Sequence, residues 1–241
     1  MKSALRAIAI VRIASRYGLA EWIPAARFRP LVRLFKFISP TAAGNRQLPR
    51  GQRLRLALQD LGPLFVKLGQ VLSTRRDLLP ADIADALAGL RDQVQAFDSE
   101  QAKAIIQNEL GQTLESVFAR FDSEPLASAS IAQVHAAQLH DGREVVVKVL
   151  RPQIRQRIAR DIALMRVMAD VLGKLHPHAE KLRPHDVVSE LENTLLAECD
   201  LQREAANASL MGRLWQGCSD LAVPAVEWPL TTERVLVMQR V

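Results

Sequence analysis

Two apolar segments joined by an Asp-Gly turn constrain the fold of this chain more than any other feature. The segments cover residues 131–139 and 144–150, and His140-Asp141-Gly142-Arg143 lies between them. Asp-Gly between two apolar runs is a strong hairpin signal because these residues tolerate the positive φ angles of a tight turn. We therefore predict an antiparallel β-hairpin at the centre of the chain.

Helical periodicity lies on both sides of this hairpin. Apolar residues recur at spacings of three and four over 52–90, with a break at Pro80, and again over 154–175 and 186–214. Two further strands are predicted within 221–241, around Trp228-Pro229. The order of helices, hairpin, helices and strand pair predicts an α+β protein with an antiparallel sheet.

One more helix has clear boundary signals. Asp98 followed by Gln101 forms a candidate capping box, in which side chains satisfy the first backbone N–H groups of a helix. Gly111 follows Leu110 and can adopt the left-handed conformation that ends helices. A helix from residue 99 to Leu110 is expected.

Positive charge is concentrated in the first 55 residues. Twelve Lys and Arg residues against Glu21 alone give this segment a charge of +11, whereas residues 56–241 carry −5. This asymmetry argues against a general nucleic-acid binder and favours an arm that meets an anionic membrane surface, with Trp and Phe side chains suited to the interface. A helix that packs on its own protein, and contact with a partner protein or nucleic acid, are the alternatives.

Other classes of protein are disfavoured by what the sequence contains. Cys199 and Cys218 are too few for a disulfide framework, which indicates a reducing compartment. The apolar run 7–11 is far shorter than the roughly 20 residues of a membrane-spanning helix, so neither such a helix nor a signal peptide is expected. His176 and His178 lack a helical metal-ligand spacing, and we expect loop residues and no metal site.

Lys148 lies in the middle of the apolar strand 145–149, where an ammonium group is costly to bury unless it meets an anion. An edge-strand lysine whose amine reaches water is the simpler alternative. The segment 125–134 before the hairpin is a turn of small residues, which let backbone N–H groups approach a phosphate, and Ser128 and Ser130 add hydroxyl donors. This order of loop, hairpin and strand lysine is that of a kinase-type nucleotide pocket.

Candidate partners of Lys148 lie on a predicted helix over 197–207. On a continuous helix Glu198 lies about 120° from Glu204, so the two carboxylates can serve different partners, while Asp200 shares a face with Glu204. A solvated charged helix is the alternative. Separately, Lys67 and Gln70 are neighbours on one helical face, with Gly69 leaving room for close packing.

Taken together, four ordered motifs in this chain resemble the UbiB family of atypical kinase-like proteins, and the resemblance covers nearly the whole chain. The motifs are a Lys-x-Gly-Gln motif (Lys67, Gly69, Gln70), an alanine-rich loop (Leu126, Ala127, Ser128, Ala129, Ser130, Ile131, Ala132, Gln133, Val134), the strand lysine Lys148 and a Glu-x-Asp motif (Glu198, Asp200). The resemblance implies a protein-kinase-like small lobe with an N-terminal helical extension. It divides the chain into a basic segment and linker (1–51), the extension (52–116) and the small lobe (117–241).

The resemblance also implies site residues and a function. In the family's pattern the alanine-rich loop covers ATP, Lys148 contacts the α and β phosphates, and Glu204 pairs with Lys148. Lys67 and Gln70 project into the pocket where a protein substrate would sit, with Lys67 held by Glu198. The implied function is an ATP-binding kinase or ATPase-like role in ubiquinone biosynthesis at the cytoplasmic face of a bacterial inner membrane. The alternative is a non-catalytic module that docks on the membrane surface or on other ubiquinone-biosynthesis proteins.

Features of the family's large lobe do not occur in this sequence. We find no catalytic-loop Asp with a downstream Asn and no metal-binding Asp of the Asp-Phe-Gly type. We therefore expect no catalytic residue in this chain and Mg²⁺ only together with a large lobe, and whether the chain is an enzyme stays open. Gln239 also stands where the family usually has Glu.

Overall fold

The computed structural model describes residues 2–19, 47–74, 76–77, 79–90, 95–175, 183–218 and 220–241. Its contacts group the chain into two compact units, one of residues 1–92 and 158–192 and the other of residues 93–157 and 193–241. The units interleave along the chain because a long helix leads from the second into the first and another leads back. The predicted division of the chain into a basic segment, a helical extension and a small lobe, with boundaries after residues 51 and 116, stays a prediction.

The first unit is helical. Its N-terminal part contains α1 (Lys2–Arg16), α2 (Arg50–Leu61), α3 (Pro63–Thr74) and α4 (Ala81–Ala88). The helical region predicted over 52–90 is therefore three helices. The predicted break at Pro80 lies between α3 and α4, and an unpredicted break at Gly62 lies between α2 and α3. Gly62 has a φ of 107° and precedes a proline, which suits the first position of the next helix. Helices α2, α3 and α4 pack together around the buried side chains of Ala57, Leu58, Leu64, Phe65, Ala84 and Leu87.

Helix α1 packs against α2. Ile10 and Tyr17 are buried, the Tyr17 hydroxyl donates to Asp60 Oδ2 at 2.9 Å, and Arg16 forms an ion pair with Asp60 at 3.3 Å. At the start of the basic segment, these contacts agree with the alternative of a helix that packs on its own protein, although Arg12 remains exposed. The Trp and Phe side chains that were expected to meet a membrane interface all belong to residues 20–46, which lie outside the described residues.

Two further helices, α7 (Ile154–Leu175) and α8 (Pro184–Glu198), contribute most of their length to the first unit. Helix α7 buries a stripe of side chains at spacings of three and four, as its periodicity predicts: Ile158, Ile162, Met165 and Ala169. An ion pair between Arg166 and Glu192 links the two helices. The predicted loop residues His176 and His178 lie outside the described residues.

The second unit is built on a four-stranded antiparallel sheet. Its strands are β1 (Phe118–Ser128), β2 (Ala132–Leu139), β3 (Glu144–Leu150) and β4 (Val235–Gln239), and they neighbour one another in chain order. The predicted hairpin is confirmed, with Gly142 at a φ of 88° in its turn. The prediction of two strands at the end of the chain is wrong for the first of them. Only an isolated bridge at Val226 and a short 3₁₀ helix (Trp228–Leu230) form there, because the prolines at 224 and 229 lack the N–H groups of a ladder.

Helices α5 (Ser99–Leu110) and α6 (Leu114–Val117) cover one face of the sheet. The predicted boundaries of α5 are confirmed, since Asp98 accepts from the N–H of Glu100 at 3.0 Å and Gly111 is left-handed with a φ of 64°. The core between these helices and the sheet is aliphatic apart from Phe118: Ile105, Ile106, Leu114, Val117, Phe118, Ala137, Leu139, Val145, Val147, Val149, Val235 and Val237.

The predicted continuous helix over 186–214 is wrong, because the chain breaks at Cys199 and Asp200. Helix α8 ends at Glu198 and α9 (Leu201–Leu214) begins after the break. Asp200 is extended and caps α9 by accepting from the N–H of Arg203 at 3.2 Å. The Cys199 carbonyl accepts from the Arg155 guanidinium at 3.1 Å. Cys199 itself is fully buried, and desolvation raises the pKa of its thiol to about 11.

Candidate functional site

Lys148 lies on a central strand and pairs with a carboxylate. β2 and β4 flank it through Val134 and Leu236, so the edge-strand alternative is wrong. Its Nζ donates to both carboxylate oxygens of Glu204 at 2.7 Å each. The Lys148 side chain is 25% exposed and that of Glu204 is 40% exposed, so the pair lies at the border of protein and solvent. The alternation of side chains along β3 places Lys148 on the face opposite Val147 and the aliphatic core.

This geometry leaves Lys148 able to bind an anion. An ammonium group has three N–H donors, and two of them are directed to Glu204. The third is available for a further acceptor, and the carboxylate fixes the direction in which it points. A strand lysine held in this way is suited to a phosphate oxygen.

The position of Glu204 is set by the start of α9. The N–H of Leu201 donates to the carbonyl of Glu233, two residues before the start of β4, at 3.0 Å. Leu201 and Ala205 are fully buried beneath the helix. Glu204 therefore lies in the first turn of α9, where the helix dipole also favours a negative charge.

The Glu-x-Asp motif has a different geometry from the predicted one. Because the chain breaks at Asp200, Glu198 belongs to α8 and Asp200 is the N-cap of α9, so neither shares a helical face with Glu204. The 120° separation inferred for a continuous helix is therefore wrong. The pairing of Lys67 with Glu198 joins residues of the two different units and stays a prediction.

The alanine-rich loop connects β1 to β2 in a tight turn, in which the N–H of Ala129 donates to the carbonyl of Ala132 at 2.8 Å. The side chains of Ser130, Ile131, Ala132 and Gln133 are buried, those of Ser128, Ala129 and Val134 are half-buried, and Leu126 and Ala127 are exposed. A ligand would thus meet the four buried residues through their backbone. Ser130 is only 3% exposed, and the contribution of its hydroxyl to phosphate binding stays a prediction.

Gln133 supports this loop from inside the protein. Its Oε1 accepts from the N–H of Phe97 at 3.1 Å, and its Nε2 donates to Nε2 of His135 at 2.9 Å. His135 is fully buried, and its Nδ1 donates to the carbonyl of Asp122 at 2.9 Å. Desolvation lowers the pKa of His135, which favours the neutral ring that this arrangement requires. Alternation along β2 could have indicated that both side chains point inward, but their partners could not be inferred.

Arg151 is a further residue of the site that sequence reasoning missed. It directly follows β3, and its guanidinium donates to the Ala129 carbonyl at 3.0 Å and to Ser128 Oγ at 2.8 Å. It also donates to the carbonyl of Gln95 at 2.9 Å and lies over the ring of Phe97, 5.5 Å from its centroid. Its only signal in the sequence is a cation between a strand and Pro152.

The Lys-x-Gly-Gln motif lies on α3 in the first unit. A Cβ atom on Gly69 would lie 2.4 Å from Leu90 Cδ1 and 2.8 Å from Leu58 Cδ1, which confirms the close packing expected at this glycine. Gln70 Nε2 donates to the carbonyl of Leu90 at 3.3 Å. Within this unit Gly69 and Gln70 therefore both contact Leu90, the second residue after the end of α4.

The described residues contain neither a metal-ion cluster nor a membrane-spanning helix. Among the described residues, no three His, Cys, Asp or Glu side chains come together as a metal site. In the part of the chain that the structure describes, no helix is both long enough and apolar enough to cross a bilayer.

Comparison with known families decides what this arrangement belongs to. The model of the ABC1 atypical kinase-like domain matches residues 89–241. The chain belongs to the ABC1 atypical kinase-like family. The resemblance stated for its four motifs is confirmed, and so is an α+β, kinase-like fold with an antiparallel sheet.

Curated members of this family are similar over the whole chain. The chain is 52% identical to "Probable protein kinase UbiB" of Xylella fastidiosa (strain 9a5c) over 241 residues. It is also 52% identical to the protein of that name from Xanthomonas oryzae pv. oryzae (strain MAFF 311018). All of the chain is covered in both cases but only 44% of each relative, so the chain spans about half the length of these proteins.

A solved structure has a similar fold. It is that of Rv3197 from Mycobacterium tuberculosis in complex with erythromycin, with a TM-score of 0.51 and 27% sequence identity. The match covers 90% of this chain and 51% of that protein. The likeness agrees with the assignment of the chain to the ABC1 atypical kinase-like family.

Proposed function

We propose that this chain binds the phosphates of ATP through Lys148 and the alanine-rich loop, as part of an atypical kinase or ATPase. The observation that carries the proposal is the contact of Lys148 with both oxygens of Glu204. An ion pair between a strand lysine and a helix glutamate, next to a loop that joins the two preceding strands, is what kinase-type phosphoryl transfer requires of its small lobe.

The residues present fit the triphosphate of ATP. Among the described residues only Glu204 accepts from the Lys148 ammonium group, which leaves one donor for a phosphate oxygen, and Leu126 and Ala127 of the loop are exposed. When bound, the nucleotide would supply the phosphoryl group, and Mg²⁺ would neutralise its charge. We propose that Mg²⁺ binds only together with a large lobe and place no catalytic residue here, because the sequence contains no catalytic-loop Asp with a downstream Asn and no metal-binding Asp of the Asp-Phe-Gly type.

The pathway is part of the same proposal. The relatives carry the name UbiB, and we infer a role in ubiquinone biosynthesis at the cytoplasmic face of a bacterial inner membrane. The charge of +11 in residues 1–55 supports contact with anionic lipid, and the exposed Arg12 on α1 is free to face it. A non-catalytic docking module on that membrane, or on other ubiquinone-biosynthesis proteins, is the second candidate, and the same charge favours it. Neither candidate includes nucleic acid as a partner.

The test is ATP binding by the 241-residue chain. Amide chemical shifts of residues 126–134 are followed by NMR during titration with ATP, because this readout detects weak binding. Lys148→Met should weaken binding by roughly 10- to 100-fold, since a hydrogen bond to a charged group contributes about 1.5 to 3 kcal/mol. Glu204→Gln should weaken it less, because the lysine remains.

Lys103→Met is the matched control. Lys103 also pairs with a glutamate at 2.8 Å, but this pair lies on one face of α5. Binding should be unchanged in this variant. If Lys148→Met binds ATP as tightly as the wild-type chain, or if the wild-type chain gives no shifts at millimolar ATP, the nucleotide site is wrong and the docking module is favoured.

A further inference from the structure

The guanidinium of Arg151 connects three separate segments of the second unit. From the end of β3 it reaches Ser128 and Ala129 in the alanine-rich loop, and it reaches Gln95 ahead of α5. It also lies over the ring of Phe97. The segment that holds Gln95 and Phe97 thus becomes a support for the loop, because the same arginine contacts both.

Further hydrogen bonds connect the segment of Gln95 and Phe97, and the end of β3, to the other end of the loop. The N–H of Phe97 donates to Gln133, which belongs to the other end of the loop. In addition, the N–H of Arg151 donates to the carbonyl of Ile131 at 2.8 Å. The loop is therefore held at its start by the Arg151 side chain and at its end by the Arg151 backbone and the Gln133 side chain.

The chemistry of these contacts is specific to arginine. Three of the five donors of a planar guanidinium point in fixed directions to two carbonyls and a hydroxyl. A lysine has a single point charge on a flexible chain and cannot reach all three acceptors at once. Among the described residues these acceptors are all neutral, so the contacts orient the loop without cancelling the positive charge beside it. Partial burial lowers the pKa of Arg151, but a guanidinium stays charged at neutral pH.

We propose that Arg151 is a positioning residue that holds the alanine-rich loop in the conformation that receives a phosphate group. For the identity of the ligand, ATP, this inference rests on the proposed function. The holding of the loop itself is a property of the chain without ligand. Arg151 acts through Ser128 and Ala129, and it supplies a fixed positive charge close to them.

The loop can be tested without nucleotide. The amide of Ala129 donates to Ala132 within the turn, so its hydrogen exchange reports on the order of the loop. Arg151→Gln should speed this exchange by roughly tenfold or more, because it removes the side-chain hydrogen bonds to Ser128 and Ala129 that hold the turn closed. Exchange at Val147 and Leu236 in the sheet should stay as in the wild-type chain. Arg151→Lys keeps the charge but should restore the slow exchange only in part.

Arg143→Gln is the matched control. Arg143 flanks β3 at its other end, where it pairs with Asp141 and Glu227, so its loss should leave exchange at Ala129 unchanged. Unchanged exchange at Ala129 in Arg151→Gln would overturn the inference. Equal acceleration at Ala129, Val147 and Leu236 would also overturn it, because Arg151 would then stabilise the whole unit and not the loop.

The same variants are then titrated with ATP. Arg151→Gln should raise the Kd for ATP by about tenfold at unchanged sheet exchange, because the loop is then less often in the conformation that binds; tenfold corresponds to about 1.4 kcal/mol. Tight ATP binding by a variant with a disordered loop would overturn the ligand part of the inference. If the wild-type chain does not bind ATP at all but Ala129 exchange responds to Arg151, the proposed function fails while the positioning of the loop stands.

Discussion

Lys148 and Glu204 form an ion pair that is only partly shielded from solvent. Since 40% of the Glu204 side chain is exposed, water screens the attraction, and we expect Glu204→Gln to lower the free energy of unfolding by about 1 kcal/mol or less. Urea denaturation of the 241-residue chain measures this. A loss of several kcal/mol would instead indicate a buried pair of the kind whose disruption leaves an uncompensated charge.

His135 predicts a pH dependence of stability. Burial lowers its pKa in the folded chain from an ordinary value of 6.5, so the unfolded chain takes up a proton at higher pH than the folded chain. The free energy of unfolding should therefore fall as pH drops below about 6.5, by up to roughly 1.4 kcal/mol per pH unit until the folded pKa is reached. Above pH 7 the contribution is constant.

His135→Gln isolates this effect. Glutamine does not titrate, and its amide can both accept from Gln133 and donate to the carbonyl of Asp122. The stability of this variant, measured by urea denaturation, should vary less than that of the wild-type chain between pH 7.5 and pH 5.5. His140→Gln, on the exposed hairpin turn, serves as the control and should follow the wild-type chain. Identical pH profiles for His135→Gln and the wild-type chain would contradict the prediction.

At this scale the sequence identified Lys148 and Glu204 but not the residues behind them. A lysine among valines is conspicuous because its burial requires a partner. Arg151 looks unremarkable in sequence, since its importance comes from distant acceptors such as the carbonyl of Gln95. Gln133 is recognised only as part of the loop, and its distant partner, the N–H of Phe97, could not be inferred. Hydrogen bonds of this kind depend on the finished fold.

Gly69 determines how closely helices α2, α3 and α4 pack. In Gly69→Ala the new methyl group would overlap the Leu90 and Leu58 side chains, at a cost of about 1 to 3 kcal/mol for overpacking. Alanine recovers up to about 1 kcal/mol of helix propensity. We expect a net loss of about 0.5 to 2 kcal/mol in the free energy of unfolding, measured by thermal and urea denaturation.

Gly173→Ala separates packing from propensity. Gly173 lies in α7, and a Cβ atom added there has no neighbour within 4 Å among the atoms described. This variant should therefore gain about 0.5 to 1 kcal/mol of stability. If Gly69→Ala were stabilised to the same extent, the close packing at Gly69 would have no energetic importance.

Elements with strong local signals were predicted well from sequence. The hairpin was fixed by Asp-Gly, and α5 by Asp98 and Gly111, all of which act on the adjacent backbone. The break between α8 and α9 was missed because Asp200 also fits a helical pattern, and only the contacts of Arg155 and Glu233 favour its capping conformation. Tertiary contacts decided that boundary.

At the scale of the whole molecule, the basic N-terminal segment predicts salt-dependent membrane binding. Each basic residue near an anionic surface contributes up to about 1 kcal/mol. Flotation of the 241-residue chain with phosphatidylglycerol vesicles should therefore weaken steeply between 50 and 300 mM salt, an interval over which the Debye length shortens from roughly 14 to 6 Å. Equal binding to neutral and anionic vesicles would contradict the prediction that electrostatic attraction drives membrane binding.

Arg12→Glu provides a sharper version of this test. Arg12 is exposed on α1, so its reversal should reduce binding without loss of stability. Arg16→Glu is a contrasting variant, because Arg16 also pairs with Asp60 and its reversal should weaken the packing of α1 as well. Undiminished vesicle binding of Arg12→Glu would mean that α1 does not face the membrane.

The arrangement of the chain as a whole was the least predictable aspect. Periodicity located the helices of residues 154–198, but it could not show that most of this stretch joins residues 1–92 in one unit. A sequence pattern gives the apolar face of a helix without naming the surface that covers it. The family resemblance supplied the kinase-like fold, since its motifs are spread over both units.

The break between α8 and α9 also gives the chain two thiols of very different reactivity. Cys199 is sealed inside the protein with a pKa of about 11, whereas Cys218 is exposed. Maleimides attack the thiolate, so at pH 7 the folded chain should take up one fluorophore, at Cys218, and a second only in urea. Mass spectrometry of the labelled chain counts them. The natural sequence is thus ready for single-site fluorescence without any cysteine being engineered.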